Sequence, residues 1–473
     1  MEWTLKLEHR DSEGTLHSST LAKIERPELA DEADLGLSHD TGKHLLWRVQ
    51  MEIASAQVRS FVTKARQCSG CGRTRTIKDR RRRRIDTIFG QVRVPAPRFE
   101  SCRCGQLGDL SPVTSLFPQR STPELRHLQA SLGGEFSYRQ AAKLLRQFLP
   151  ASDSFNHATI RNRVLEIGQQ IEAETTAEIS ERSVVAAPAE SMVVGIDGAY
   201  VAATRTHMQR RHFEVVLGRI EAPDCNGEIF AAVRDLDGLA RERIRSALRR
   251  AGRGPDTKLT VLSDGEDAMH RMAGDWLSGT MEHRLDWFHL DRRISWMWKA
   301  VYHTLGLGDL DAETRFRQYG RALRSVRWNL WHHGRSRHAR WMIAISRLAS
   351  SILSHRLETD AAGQNTTRID DLYKRFLDFQ GYVYRNIGSL ADYASHRQRG
   401  ERVSTAHVES TVNQLINQRM CKKRQMRWSR SGAQFLLNVR TAHLNGRLER
   451  YTGLAKPRSK VMPPDRDLMP IPA

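Results

Sequence analysis

The chain lacks any run of about 18 apolar residues, so no segment is built to cross a membrane as a helix. It also lacks the basic-then-apolar leader of a secreted protein, because its first 40 residues are mixed in charge. A cytoplasmic, nucleoid-associated location with no membrane partner is therefore expected. Cysteine is scarce: there are six in 473 residues, with four at 68, 71, 102 and 104, while Cys225 and Cys421 stand alone. So few thiols in a long chain exclude a disulfide scaffold, and clustered thiols read first as metal ligands. Acid is short as well. Lys and Arg number 75 against 54 Asp and Glu, a formal charge of +21. That imbalance points to a polyanionic partner, most often nucleic acid. The length implies several domains.

The stretch 43–66 fits a helix, with Leu46, Val49, Ile53, Val58 and Val62 along one side. Next come Cys68-x-x-Cys71, two strand-like pieces joined by a turn at Gly90, and Cys102-x-Cys104. Two cysteine pairs held by a hairpin suit a zinc-ribbon-like module, since Zn2+ takes four tetrahedral ligands and so small a hairpin has little core of its own. Four free thiols in a small β unit are the alternative. The run Arg80, Arg81, Arg82, Arg83 and Arg84 sits inside this module, where it is expected to meet phosphates.

Residues 123–182 read as helices. Ser137 and Gln140 are spaced as a capping box. After a polar link, "HATIRNRV" opens a helix with Thr159, Arg161 and Arg163 as DNA contacts. That order suggests a helix-turn-helix, with a plain helical hairpin as the alternative. After the linker 183–191 the periodicity changes. Strands are expected at 192–204, 211–222 and 228–235, a helix at 238–251, the strand "KLTVLS", a helix "EDAMHRMAGDWL" and the short strand "HRLDWF". This is a mixed α/β sheet. Residues 290–400 lose strand signals and read as a helical block. Within it, "RSVRWNLWHHGRSRHARW" is basic and aromatic enough for DNA contact. A last helix, "STAHVESTVNQLINQRM", carries Val408, Val412, Leu415 and Ile416 on one face and Glu409 beside them. A Pro-rich tail follows.

Three carboxylates stand out by position. Asp197 interrupts the apolar strand "VVGIDGAYV", where Asp-Gly also reads as a hairpin turn. The strand pattern continuing through "AYVAAT" favours the strand. Asp264 ends "TVLSD", with Glu266 and Asp267 as alternatives in the same loop. Glu409 projects from the late helix, with Glu401 as its competitor. Carboxylates brought together repel unless divalent cations hold them, and hard oxygen ligands suit Mg2+. Two such ions serve phosphodiester chemistry. Gly195 and Gly198 would leave room beside the strand for DNA and metals.

Taken in order, "GIDGAYV", "LSDGED", "DWFH" and "HVESTVNQLINQRM…RQMRWSRSGA" resemble bacterial insertion-sequence transposases of the DDE class, above all the Kra group. The resemblance covers most of the chain. It implies a ribonuclease-H-like catalytic fold in which Asp197, Asp264 and Glu409 bind two Mg2+ or Mn2+ ions. It also implies an Asp-x-x-His motif, here Asp286 and His289, that helps position the DNA, and a helical insertion before the final Glu. The implied domains are 1–66 with a helix, 67–112 zinc-ribbon-like, and 120–182 helix-turn-helix-like. The catalytic core takes 190–290 and 402–450, split by the insertion 291–401, with a flexible tail at 451–473. Arg419, Arg424, Arg427 and Trp428 are expected to face DNA. The implied partners are double-stranded DNA, as element ends and target, and a second copy in a homodimer or larger synaptic assembly. A catalytically inactive or domesticated DNA-binding protein and a metal-dependent nuclease of the same fold remain the alternatives.

Overall fold

The computed structural model describes residues 1–454 apart from 12, 106–107, 151–154, 182–187, 205–210, 224, 235, 266–280, 306–309, 336 and 422–425. The expected helix "EDAMHRMAGDWL", Glu266, Asp267, Arg424 and the tail 455–473 lie outside the described residues. The chain divides into two units, Met1–Gln170 with Gly446–Ala473, and Ile171–Asn445. The ribbon and the helices His39–Ala65, Pro123–Glu135 and Tyr138–Phe148 belong to the first unit, the sheet and the helical insertion to the second, and the helix His157–Glu181 spans the division.

The first unit opens with a hairpin that the sequence reading missed, β1 (Glu2–Arg10) and β2 (Leu16–Glu25). In β1 Trp3, Leu5 and Leu7 alternate with Thr4, Lys6 and Glu8, a strand signal that the reading passed over, although of these only Leu5 and Leu7 are half-buried. The helix His39–Ala65 starts at Ser38, whose hydroxyl accepts from the Thr41 N–H. Its buried residues are Leu45 and Val58, while Leu46 and Ile53 of the expected stripe are exposed. Val58, Phe61 and Val62 form one core with Ile85, Val92 and Val94 of the ribbon. That ribbon is the antiparallel pair β4 (Arg82–Thr87) and β5 (Gly90–Pro95), with the short β3 (Ile77–Asp79) pairing β6 (Arg98–Phe99). Gly90 has φ +98°, which suits glycine at the tight turn between β4 and β5.

Three further helices follow, Pro123–Glu135, Tyr138–Phe148 and His157–Glu181. Ser137 caps the second of them by accepting from the Gln140 N–H, and the Gln140 side chain meets the Ser137 hydroxyl. Gly133 faces Ile160 and Val164. A Cβ there would come within 2.8 Å of both, so glycine lets the first and third helices close on each other.

The second unit is built on a five-stranded sheet ordered β11-β10-β7-β8-β9. Strands β7 (Ser191–Ala202), β8 (His212–Ala222) and β9 (Cys225–Val233) run antiparallel. Strands β10 (Lys258–Ser263) and β11 (Met281–Leu285) add parallel to β7. The expected strands fall close to these, except that "DWF" of "HRLDWF" leaves the strand and opens the helix Trp287–Leu305. Successive residues of a strand face opposite sides. Met192, Val194 and Ile196 therefore share one face, closed by Ile244, Ala247 and Leu248 of the helix Ala240–Arg250. Val193, Gly195 and Asp197 belong to the other face.

The block 287–398 is helical as expected. The helices Trp287–Leu305, Leu310–His333, His338–Ala361 and Thr367–Arg385 share a core that includes Ile294, Leu323, Trp341 and Phe376. The chain then returns to the sheet through the helix Ala406–Val412. This helix does not run on through "NQLINQRM" as the sequence suggests. It loosens into a π-turn over Asn413–Asn417. The guanidinium of the buried Arg440 donates to the carbonyls of Leu415 and Gln414 in that turn, meeting acceptors that a π-turn frees.

Arg440 belongs to the helix Arg430–Leu444, which closes the outer edge of β9. Gln434 Oε1 accepts from the Val233 N–H at 2.8 Å. Asn445 accepts from the Ile229 N–H at 2.9 Å and donates to the Ile229 carbonyl at 2.8 Å. Side-chain amides thus occupy a row that another strand would otherwise pair with.

Candidate functional site

The four clustered cysteines come together in the first unit. The sulfurs of Cys68, Cys71, Cys102 and Cys104 all lie within 4.8 Å of one another. Cys68 faces Cys104 at 3.6 Å, and Cys71 faces Cys102 at 3.5 Å. Tetrahedral zinc with bonds near 2.3 Å would set its sulfurs about 3.8 Å apart, so this cluster could hold a metal such as zinc. Each knuckle is followed by a glycine at positive φ, Gly72 and Gly105. The first knuckle aims the N–H groups of Cys71 and then Gly70 at the Cys68 sulfur, which holds its thiol down at about 6. A thiol so poised is already the thiolate that a metal needs.

The arginine run does not present five equal charges. Arg80 and Arg82 are exposed, while Arg81 is exposed but paired with Asp79. Arg83 turns inward to the carbonyls of Phe117 and Pro118. Arg84 is exposed and lies 3.4 Å from Asp86. In the candidate recognition helix, Arg161 is exposed and Thr159 half-buried. Arg163 is engaged by Ser121 at 2.9 Å and Glu166 at 2.7 Å, so it supports the helix packing rather than reaching outward.

In the second unit β10 runs parallel to β7 with Leu262 beside Gly195. Asp264 follows directly on the last residue of β10, and Asp197 lies two residues beyond Gly195 on β7. Both carboxylates are half-buried. Asp197 Oδ1 accepts from the Gly198 N–H at 2.7 Å, and the Asp264 carbonyl accepts from the Tyr382 hydroxyl at 2.6 Å. Burial pushes the Tyr382 phenol up, so it stays a donor at neutral pH.

The face of β7 that carries Asp197 is the one covered by the helix Ala406–Val412. Val408 of that helix fills the space over Gly195, where a Cβ would come within 2.4 Å of the valine methyl. Gly195 thus makes room for the helix, not for DNA or metal as the sequence suggested. Glu409 follows Val408 on this helix, and its side chain lies outside the described residues.

The Asp-x-x-His motif is a brace. Asp286 is fully buried, so it does not reach DNA. It caps the helix Trp287–Leu305 by accepting from the Phe288 N–H at 2.8 Å. It also accepts from the Thr405 N–H at 3.0 Å and from the Thr405 hydroxyl. Thr405 precedes the helix of Glu409, so one carboxylate ties the end of β11 to the start of that helix. His289 sits one turn on, 3.7 Å from Asp286. Glu401, the competitor of Glu409, is committed elsewhere. Burial pushes its carboxyl up, but hydrogen bonds from Arg399, His396 and Arg284 outweigh that and hold it at about 2.

Trp428 was expected to face DNA and does not. It is 7% exposed, because its backbone pairs with the end of β7 through Ala202 and Thr204 and its ring covers Arg419. Arg419 is itself fully buried. Arg427 is exposed. The sequence reading missed Thr405, Tyr382 and Arg440, all polar residues inside apolar-rich helical patterns whose partners are remote in sequence. Compared with known proteins, the chain matches no protein-family model and no curated protein.

Proposed function

We propose that this chain is a DNA transposase of the DDE class that binds the ends of a mobile element, cuts DNA and joins the 3′ end to a target. The observation that carries the reading is the register of β10 on β7, which ends with Leu262 beside Gly195, two residues before Asp264 and Asp197, on the sheet face covered by the helix of Glu409. The strand order β9-β8-β7-β10-β11, three antiparallel strands extended by two parallel ones, supports a ribonuclease-H-like core.

Carboxylates brought together repel unless cations hold them. Asp197, Asp264 and Glu409 would hold two Mg2+ or Mn2+ ions, donors of the kind these ions prefer. Bound there, the ions supply activation of the attacking oxygen and stabilisation of the leaving one. The chain's own residues do the positioning. Asp286 and Thr405 fix the helix that carries the third carboxylate. Tyr382 fixes the loop that carries the second. The excess of positive charge draws the duplex, and exposed Arg80, Arg82, Arg161 and Arg427 meet its phosphates. A homodimer or larger assembly brings two ends together. The cysteine cluster, holding Zn2+, keeps the ribbon folded for end binding.

The test uses duplex DNA carrying the sequences that flank the coding segment, with Mg2+. The wild type is expected to give cut and joined products. Asp197→Asn, Asp264→Asn and Glu409→Gln are each expected to lose about a thousandfold, ~4 kcal/mol of barrier. No product from the wild type, or full activity in all three variants, overturns the reading. Cutting without joining makes the protein a nuclease.

A further inference from the structure

The helices Trp287–Leu305 and Thr367–Arg385 meet through a shared apolar core that includes Ile294, Met297, Ile369 and Phe376. Beside that core, on their solvent side, a cleft of about 640 Å3 opens between them. Trp296, Lys299 and His303 line one wall at i, i+3 and i+7, and Arg368, Asp371 and Arg375 line the other with the same spacing. Each set is therefore one face of one helix.

The chemistry of the cleft is uneven in a telling way. Trp296 is 50% exposed, with the Arg292 guanidinium 5.1 Å from its ring centroid. Some arginines of this block are paired with acids, Arg327 with Asp291 and Arg356 with Asp370. Lys299, Arg368 and Arg375 form no ion pair among the described residues, and Asp371 is engaged by Lys374 at 3.6 Å. The cleft thus offers a half-exposed indole and three cations with no ion pair among the described residues, with the Asp371 carboxylate on the wall between two of them. An aromatic face takes a nucleobase, and cations beside it take the flanking phosphates. In a duplex the bases are paired and stacked on one another, so only an unpaired strand can present a base to the ring. The volume lies in the range of sites for ligands of nucleotide size.

We propose that this cleft binds a single-stranded stretch of DNA, with one base stacked on Trp296 and adjacent phosphates on Lys299, Arg368 and Arg375. The choice of DNA among polyanions rests on the transposase reading, while the preference for an unpaired strand rests on the cleft alone. The site would hold a strand freed from its complement during cutting or joining.

The experiment measures fluorescence anisotropy of a labelled 15-mer of deoxythymidine, and of a blunt duplex of the same length, with the full chain and no added divalent metal. No cleavage is read out, so a failed catalytic assay leaves the result intact. Trp296→Ala is expected to weaken the single strand about tenfold and to leave the duplex within about twofold. Trp296→Phe is expected to restore most of the loss. The double variant Lys299→Gln with Arg375→Gln is expected to flatten the salt dependence of single-strand binding by about 1.4 log units per log unit of salt, about 0.7 for each phosphate released. Single-strand affinity unchanged in Trp296→Ala, or equal losses for single strand and duplex, overturns the proposal. If the alanine chain does not fold, an unchanged salt slope in the double variant overturns it instead, since both of its positions are exposed.

Discussion

The four thiols and the carboxylates of the sheet are two groups of donors gathered by opposite routes. The thiols come from two knuckles in one stretch of chain, each followed by a glycine, with a short ribbon between them. Asp197 and Asp264 come from strand ends separated by two further strands and a helix, and Glu409 rides on a helix that returns only after the whole helical block. The first group depends on local turns and on the metal that would occupy it. The second depends on register and on how one helix packs over Gly195. Damage to the first should therefore stay local, and damage to the second should arise from positions with no donor atoms at all.

The largest effect tests that locality. Cys71→Ser with Cys102→Ser should take bound zinc from one equivalent to none, read by atomic absorption, and open the stretch 68–104 to protease. Structural zinc is worth on the order of 10 kcal/mol in small modules. The thermal transition of the unit 171–445 should be unchanged, and a parallel fall there would break the contrast. Next comes Asp286→Ala. It leaves the Thr405 and Phe288 N–H groups buried without their acceptor, which should cost about 3 kcal/mol, seen as a lower urea midpoint. DNA cleavage should fall although the residue touches no substrate.

A smaller and sharper effect is expected from Gly195→Ala. The added methyl meets Val408 and should cost about 1–3 kcal/mol by overpacking. Adding Val408→Ala should recover cleavage in the double variant. No recovery would mean that the helix position is not what Gly195 protects. The smallest effect is on pH. The folded-state Cys68 thiol lies at about 6, below its ordinary value near 9. Its contribution to stability is therefore fully present above that ordinary value and is lost as pH falls through about 6. In the intact chain, bound zinc read by atomic absorption should hold above about pH 6 and fall below it, as protons compete for the Cys68 sulfur.

The sheet was legible because β7 to β10 alternate or run apolar in the usual way, and the knuckles were legible because their spacing is local. The expectation that Asp264 falls near Asp197 rested on the first and fourth strands being neighbours, and the strands are neighbours. Two of the failures share a cause. Trp428 and Arg419 look like surface residues in a basic stretch, but backbone pairing to the end of β7 pulls the tryptophan inside and the arginine lies beneath it. The π-turn at Asn413–Asn417 is invisible because it depends on Arg440 from another helix. In both cases the deciding partner is remote in sequence. The N-terminal hairpin is different: Trp3, Leu5 and Leu7 alternate with polar residues, so its first strand was legible and was overlooked.

The amide seal on β9 bears on the order in which the protein is made. The Val233 N–H waits for Gln434, 201 residues later, and the Ile229 N–H waits for Asn445, 216 residues later. During synthesis β9 therefore exists long before its outward row can be closed, and an open row pairs readily with a neighbouring chain. A ribosome that stops short of Gln434 releases a sticky product, and one that finishes releases a sealed sheet. Until the helix Arg430–Leu444 and Asn445 emerge, that row stays open.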